Sequence, residues 1–110
     1  MIRISVVRDR RGDIVGWSVS GHSGFAPRGE DIVCAGVSAI VQTTLLGLQN
    51  VLGLECAGRH RDGELTCSLP PLSVEERRQA DLLLLTMLEG LTAIAEAYAD
   101  YVTILDQEEV

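Results

Sequence analysis

A run without a single charged residue, from Ile32 to Leu54, constrains the fold more than any other feature of the chain. Such a run is long enough to cross a bilayer, and it is also typical of a helix that a protein core covers. Asp31, directly before the run, suits the N-cap of a helix, and Gly53 suits its end. The run contains the polar residues Gln42, Thr43, Thr44, Gln49 and Asn50. We therefore predict a helix from Asp31 to about Leu52, buried on most sides, and no membrane span.

The amino-terminal part of the chain has the pattern of a β-hairpin. Apolar and polar residues alternate from Ile2 to Val7, which is typical of a half-buried strand. A short turn rich in Arg and Gly follows. Ile14 to Ser20 is the second predicted strand, and its alternation places Val15, Trp17 and Val19 on one face.

A second hairpin is predicted in the middle of the chain. Its strands are Leu54 to His60 and Glu64 to Leu69, and the Asp62-Gly63 pair between them favours a two-residue turn. The turn also predicts the cross-strand register, with Arg61 opposite Glu64 and Gly58 opposite Cys67.

A second long helix follows this hairpin. Ser73 and Glu76 form a capping-box pattern, which predicts a helix from Val74 to about Ala97. Leu82 to Leu85 brings apolar residues around most of that helix. Because a monomer of this size could hardly cover all of them, the pattern favours dimerisation through helices.

The remaining segment completes the predicted architecture. Tyr101 to Leu105 is predicted as a last strand, and Gln107 to Val110 as a tail. The order is therefore ββα-ββα-β, which predicts an α+β two-layer sandwich with a mixed sheet and two long helices. A chain of 110 residues fits a single domain, residues 1–110.

Charge and cysteine content exclude several classes of function. The chain has 16 Asp and Glu against 9 Lys and Arg, a net charge of −7. This argues against a general nucleic-acid binder, which needs a basic surface. Its three cysteines are an odd number, and none forms a C-x-x-C pair. We therefore expect a reducing, cytoplasmic compartment and no zinc site.

Cys34 and His22 are the candidates for chemistry. Cys34 lies three residues after Asp31, in the first turn of the predicted helix, where free amides and the helix dipole favour a thiolate. His22 begins a glycine-rich loop, Gly21 to Glu30, which could return it to Cys34 as a general base. A buried structural cysteine and an unrelated surface histidine are an equally open interpretation.

Other residues near Cys34 also have two interpretations each. Asp31 either caps the helix or accepts a hydrogen bond from His22, and the first amides of the helix could form an oxyanion hole. Ser38, one turn after Cys34, either bonds the thiolate or its own helix backbone. Gly36 indicates either the approach of a substrate or close packing against another helix.

The site motif extends beyond these residues, as Gly21-His22-Ser23-Gly24-Phe25-Ala26, then Gly29, Asp31, Val33-Cys34-Ala35 and Val37-Ser38. It resembles the bacterial ribosomal-processing cysteine proteases called Prp, in which a Gly-His pair and a flexible loop precede Gly-x-Asp-x-Val-Cys-Ala-x-Val-Ser. The resemblance covers the whole chain in length and element order. One position departs from it, because Gly36 stands where many relatives have alanine.

The resemblance implies a cysteine endopeptidase that removes the N-terminal extension of a large-subunit ribosomal protein during ribosome maturation. Cys34 would be the nucleophile and His22 the base, with Asp31 and Ser38 in support. The loop that admits substrate would include Gly21, Ser23, Gly24, Phe25 and Gly29. The resemblance also implies a homodimer packed through helices, no metal or other cofactor, and the precursor's extension peptide as partner.

Two further classes of function remain open from the sequence. The chain could be a non-catalytic ribosome-assembly factor that binds the same ribosomal-protein tail, or a thiol redox sensor that uses Cys34. We expect neither direct nucleic-acid binding nor membrane attachment in any of these cases. The retained Cys34 and His22 favour the enzyme.

Overall fold

A computed structural model describes residues 1–61 and 63–108. The elements in chain order are β1 (Ile2–Arg8), β2 (Ile14–Ser20), α1 (Ile32–Leu46), β3 (Ala57–Arg61), β4 (Glu64–Ser68), α2 (Val74–Ala97) and β5 (Val102–Glu108). A turn of π-helix, Gly47–Val51, continues α1. The predicted α+β architecture and the ββα-ββα-β order are confirmed.

The five strands form one mixed sheet in the order β3-β4-β2-β1-β5. β1 and β5 are parallel, and the other neighbours are antiparallel. Alternate strand residues are buried on one face, where both helices pack. Ile4, Trp17, Val37 and Leu84 belong to this core, which one strand or helix alone could not bury.

The first hairpin contains an irregularity that the alternating pattern did not predict. Val7 is opposite Gly16, but Arg8 is opposite Ile14, so Val15 is an extra residue in β2. Such a bulge reverses the alternation on one side of it. The prediction that Val15 shares the buried face of Trp17 is therefore wrong. Ile14 is buried there instead, and Val15 is only half-buried.

The second hairpin has the predicted register, with Arg61 opposite Glu64 and Gly58 opposite Cys67. Asp62 of its predicted turn lies outside the described residues. β3 begins only at Ala57, later than predicted. The last strand is longer than predicted and includes two residues of the predicted tail, because β5 pairs with β1 as far as Arg8 opposite Glu108. Residues 109–110 of that tail lie outside the described residues.

Helix α1 is buried along one stripe only. Its buried residues are Val33, Val37, Val41 and Thr44. Ile32, Leu46 and Val51 are 61%, 55% and 80% exposed. The prediction that this helix is buried on most sides is therefore wrong for the single chain. By length and composition the helical segment Ile32–Val51 is apolar enough to cross a membrane, and 28% of that stretch is buried in the protein.

Small residues bring the two helices together. A Cβ added at Gly36 would lie 3.4 Å from Ile94 Cδ1 of α2, and one at Gly90 would lie 3.2 Å from Ile40 Cδ1 of α1. Of the two interpretations of Gly36, the structure therefore supports close helix packing.

Candidate active site

Three parts of the chain meet where β2 ends. The N–H of Gly21 donates to the carbonyl oxygen of Gly63, 2.8 Å away, which ties the end of β2 to the turn after β3. Gly21 has φ = +86°, and a Cβ there would overlap the carbonyl oxygen of Met1. Only glycine fits this conformation without strain. The backbone can therefore turn sharply directly before His22.

Asp31 is the centre of the hydrogen bonds at this end of the molecule. Its Oδ1 accepts the N–H groups of Val33 and Cys34, each at 3.0 Å, so it caps α1 as predicted. Its Oδ2 accepts the hydroxyl of Ser23. These bonds, above all that of Ser23, lower the pKa of Asp31 to about 2. The carboxylate is therefore charged at neutral pH. Its hydrogen bonds come from Ser23 and from the first amides of α1, and none of them comes from His22.

The thiol of Cys34 lies in the first turn of α1 and is half-buried. Its Sγ accepts a hydrogen bond from the backbone N–H of Ser23 at 3.3 Å. The amides of Val33 and Cys34, which the sequence suggested as an oxyanion hole, already donate to Asp31. The donor that faces the sulfur thus comes from the loop.

Cys56 and Cys67 differ from Cys34 in their surroundings. Both are free thiols buried in the core. Burial raises the pKa of both, that of Cys67 to about 12. They remain protonated at neutral pH, so Cys34 is the accessible thiol of the chain.

His22 and Cys34 line the same two cavities. The first, which we call the hairpin cavity, is about 180 Å³ and lies between α1 and the β3–β4 hairpin. The second, the loop cavity, is about 580 Å³ and lies between α1 and the loop after β2. The His22 ring is exposed, and a Cβ added at Gly63 would lie 3.4 Å from its Nε2. The structure thus brings His22 and Cys34 to the boundary between two cavities.

Ser38 lines both cavities, one turn along α1 from Cys34. Its hydroxyl accepts a hydrogen bond from Gln42 Nε2 at 3.2 Å. That partner is neither of the two that the sequence suggested for Ser38. Ser38 and Gln42 instead form a polar strip along the wall of the hairpin cavity.

The loop residues have different surroundings. The Phe25 ring packs edge-on against Tyr98 and Tyr101, with ring centres 5.5 Å and 5.3 Å apart. Gly24 and Gly29 have positive φ angles and line the loop cavity. The aromatic contacts hold the middle of the loop against the end of α2.

The sequence predicted Ser23 only as one of several residues in the loop that admits substrate. It did not predict that Ser23 contacts Cys34 and Asp31. Ser23 is only 4% exposed, and its hydroxyl also accepts the Phe25 N–H at 3.0 Å. A serine that bonds the amide two residues later is a known turn signal. His60 and Gly63 also line the hairpin cavity, although the sequence did not predict either as a site residue.

Among residues 1–61 and 63–108, no group of three or more His, Cys, Asp or Glu side chains lies close enough together to hold a metal ion.

Known sequences resemble the whole chain. A family profile described as "Cysteine protease Prp" matches residues 1–103. The ribosomal processing cysteine protease Prp of Bacillus subtilis (strain 168) is 33% identical over 106 residues, which cover 91% of this chain and 92% of that protein.

Solved structures resemble the fold. One is a Staphylococcus aureus ribosomal processing protease Prp in complex with a covalently linked product peptide. It has a TM-score of 0.87 and 25% identity, and the match covers 96% of this chain and 99% of that one. A Streptococcus mutans protein has a TM-score of 0.80 and 25% identity, with 99% of this chain and 96% of that one covered.

Proposed function

Because this chain belongs to the cysteine protease Prp family and is a cysteine peptidase, we propose that it removes the N-terminal extension of a large-subunit ribosomal protein during ribosome maturation. The Bacillus subtilis relative is named as a ribosomal processing protease, which supports this substrate class. The observation that carries the proposal is the position of Cys34 and His22 at the boundary of the two cavities. A peptide that crossed this boundary would bring its backbone to the thiol.

Cys34 is the nucleophile of the proposed reaction and His22 is its base. The thiolate attacks the carbonyl carbon of the scissile peptide bond, and His22 takes the thiol proton and gives it to the leaving amine. The acyl group stays on Cys34 as a thioester, and water then releases the free carboxylate. The covalently linked product peptide in the Staphylococcus aureus structure is consistent with such an intermediate in that protein.

Asp31 and Ser38 have supporting roles in this proposal. Asp31 fixes the start of α1, and therefore Cys34, through its two backbone hydrogen bonds. Ser38 offers a polar group on the wall that both cavities share. The loop residues Gly21, Ser23, Gly24, Phe25 and Gly29 then gate the entry of substrate.

The partners follow from charge and exposed surface. A net charge of −7 favours encounter with a basic ribosomal protein, and we propose no direct nucleic-acid partner and no membrane. Leu82 and Leu85 of α2 are 69% and 50% exposed, which supports a homodimer packed through helices. We propose that residues 1–110 act as one cysteine protease domain in the cytoplasm, without a metal or other cofactor.

The test is to incubate the protein with the extended ribosomal-protein precursor and to weigh the products. Wild type should give one trimmed product, and Cys34→Ala should give none while it keeps its fold. The same ribosomal protein already lacking the extension is the matched control, and its mass should not change. If the wild type binds the precursor but leaves it intact, the alternative of a non-catalytic assembly factor is correct.

A further inference from the structure

We propose that the backbone N–H of Ser23 stabilises negative charge during the reaction, first on Cys34 Sγ and then on the oxyanion, and that the Ser23 hydroxyl holds it in place through Asp31. This inference rests on the proposed function, since it takes Cys34 as the nucleophile. Ser23 then has two roles: its backbone N–H contacts the reacting sulfur, and its side chain holds that N–H in position.

The backbone amides near Cys34 donate to different acceptors. The Ser23 N–H lies 3.3 Å from Cys34 Sγ. The amides of Val33 and Cys34 donate to the Asp31 carboxylate, and that of Ala35 donates to the Asp31 carbonyl oxygen at 3.1 Å. Because these first helical amides are already engaged, the donor aimed at the sulfur is the amide of Ser23.

Ser23 is held in place by burial and by several hydrogen bonds. Its side chain is almost fully buried, its hydroxyl donates to Asp31 Oδ2, and the same hydroxyl accepts the Phe25 N–H at 3.0 Å. Asp31 Oδ1 binds the amide of Cys34 itself. One carboxylate therefore fixes both the nucleophile and the donor that faces it. A donor fixed before the reaction needs no reorganisation when charge develops.

One donor can serve both anions, the thiolate and the oxyanion. When Sγ attacks, an S–C bond forms and the π pair of the carbonyl moves to its oxygen. That oxygen is bonded to the carbon that the sulfur has just reached, so it lies within reach of the N–H that faced the sulfur. The pair returns when the C–N bond breaks, and the amine leaves with the proton from His22.

The test compares Ser23→Ala with Ser23→Thr, which keeps the hydroxyl. Two readouts are needed: kcat for precursor cleavage, and the rate of Cys34 alkylation as a function of pH. Deleting an oxyanion-hole donor costs about 10²–10³ in kcat, and Ser23→Ala only loosens the donor, so we expect a loss of about tenfold. The midpoint of the alkylation profile should move to higher pH, because the thiolate loses a hydrogen bond.

Threonine should restore most of kcat and of the midpoint. Ser18→Ala is the matched control, since Ser18 is a half-buried serine of β2 outside both cavities. The midpoint of the alkylation profile reports stabilisation of the Cys34 thiolate, whereas the plateau rate reports how easily the reagent reaches the sulfur. A loop that is merely more open therefore changes the plateau rate and not the midpoint. Since Cys56 and Cys67 are buried, the profile reports on Cys34.

Asp31→Asn gives a second route if Ser23→Ala unfolds. Its amide nitrogen cannot accept from the Ser23 hydroxyl, while its carbonyl can still cap α1. It should reproduce the loss of kcat, and the double variant should be no worse than the worse single variant, because both changes break one bond. The midpoint is compared only between the Ser23 variants, because the Asp31 carboxylate also bonds the Cys34 side chain and its neutralisation by itself favours the thiolate.

The inference is overturned if Ser23→Ala leaves both kcat and the midpoint unchanged, or if it changes KM alone. These outcomes differ from failure of the proposed function. That failure would appear as wild type that does not cleave or as Cys34→Ala that still does, whatever Ser23 contributes.

Discussion

At the scale of single residues, Asp31 shows how one side chain can hold the start of a helix and a loop at the same point. As a cap it satisfies two amides that would otherwise lack partners at the start of α1. As the acceptor of Ser23 it ties the loop to the same point. The sequence offered capping and catalysis as alternatives for Asp31. The geometry favours the cap and adds Ser23 as a partner that spacing alone did not suggest.

The lowered pKa of Asp31 predicts an acid-dependent part of the stability. Its folded pKa is about 2, below the 3.9 or so of an unfolded aspartate. The contribution is therefore fully present above about pH 4 and is lost as the pH falls through 2. We expect Tm to fall over this window in the wild type and to fall less in Asp31→Asn. Equal slopes for the two proteins, measured by thermal denaturation at several pH values, would contradict this assignment.

At the scale of elements, the loop after β2 depends on a few contacts for its position. Phe25 is 40% exposed, yet its ring meets Tyr98 of the α2 end and Tyr101 just before β5. Edge-on aromatic pairs of this kind each contribute about 0.5–1.5 kcal/mol. The loop is thus held in place at Phe25, while Gly24 and Gly29 on either side leave the backbone free to turn.

Removal of the Phe25 ring should release the loop without unfolding the sheet. In Phe25→Ala, we expect trypsin to cut after Arg28, within this loop, roughly 5–30-fold faster. The reason is that the aromatic contacts stabilise the closed loop by about one or two kcal/mol, and their loss raises the population of the open loop by that factor. Cleavage after Arg10 or Arg11, in the β1–β2 turn, serves as the internal control and should not change. Equal acceleration at all three sites would mean global destabilisation and would refute a local role for Phe25.

Elements were easier to predict than their irregularities. The Asp62-Gly63 turn and the apolar alternation indicated the same register for β3 and β4, and the pairing of Arg61 with Glu64 confirms it. The bulge at Val15 was not predictable, because a pattern of period two gives no sign of one inserted residue.

The candidate site shows the same limit. Cys34 and His22 could be named as candidates because a thiol at a helix start and a histidine in a glycine-rich loop are chemical signals in themselves. Ser23 was missed as a contact because its role depends on a backbone N–H, and every residue except proline has one. Only the fold shows which amide points at the sulfur.

At the scale of the whole molecule, most of the exposed large apolar residues lie on the helical segments. Leu82 and Leu85 of α2 are 69% and 50% exposed. Leu84 and Leu91, on the other side of the same helix, are buried. Exposed apolar side chains grouped in this way are typical of a protein–protein interface. A helical dimer would cover them and leave the open face of the sheet free.

A charge on this surface should therefore separate the subunits. Leu82→Glu is expected to sediment as a monomer at concentrations where the wild type is a dimer, since an unpaired buried carboxylate costs several kcal/mol. Leu105→Glu is the matched control, because Leu105 is an exposed leucine of β5 and not of a helix. A wild type that sediments as a monomer, or a Leu105→Glu that dissociates equally, would contradict the helical interface.

The central claim, that Cys34 attacks the peptide bond, is tested most directly by trapping its thioester. The protein would be mixed with the extended precursor, quenched in acid within the first turnover, and its mass measured before and after digestion. We predict an adduct equal to the released N-terminal peptide minus one water, located on Cys34 and removed by hydroxylamine. Cleavage with no adduct at any quench time, or an adduct located on another residue, would contradict the proposed mechanism.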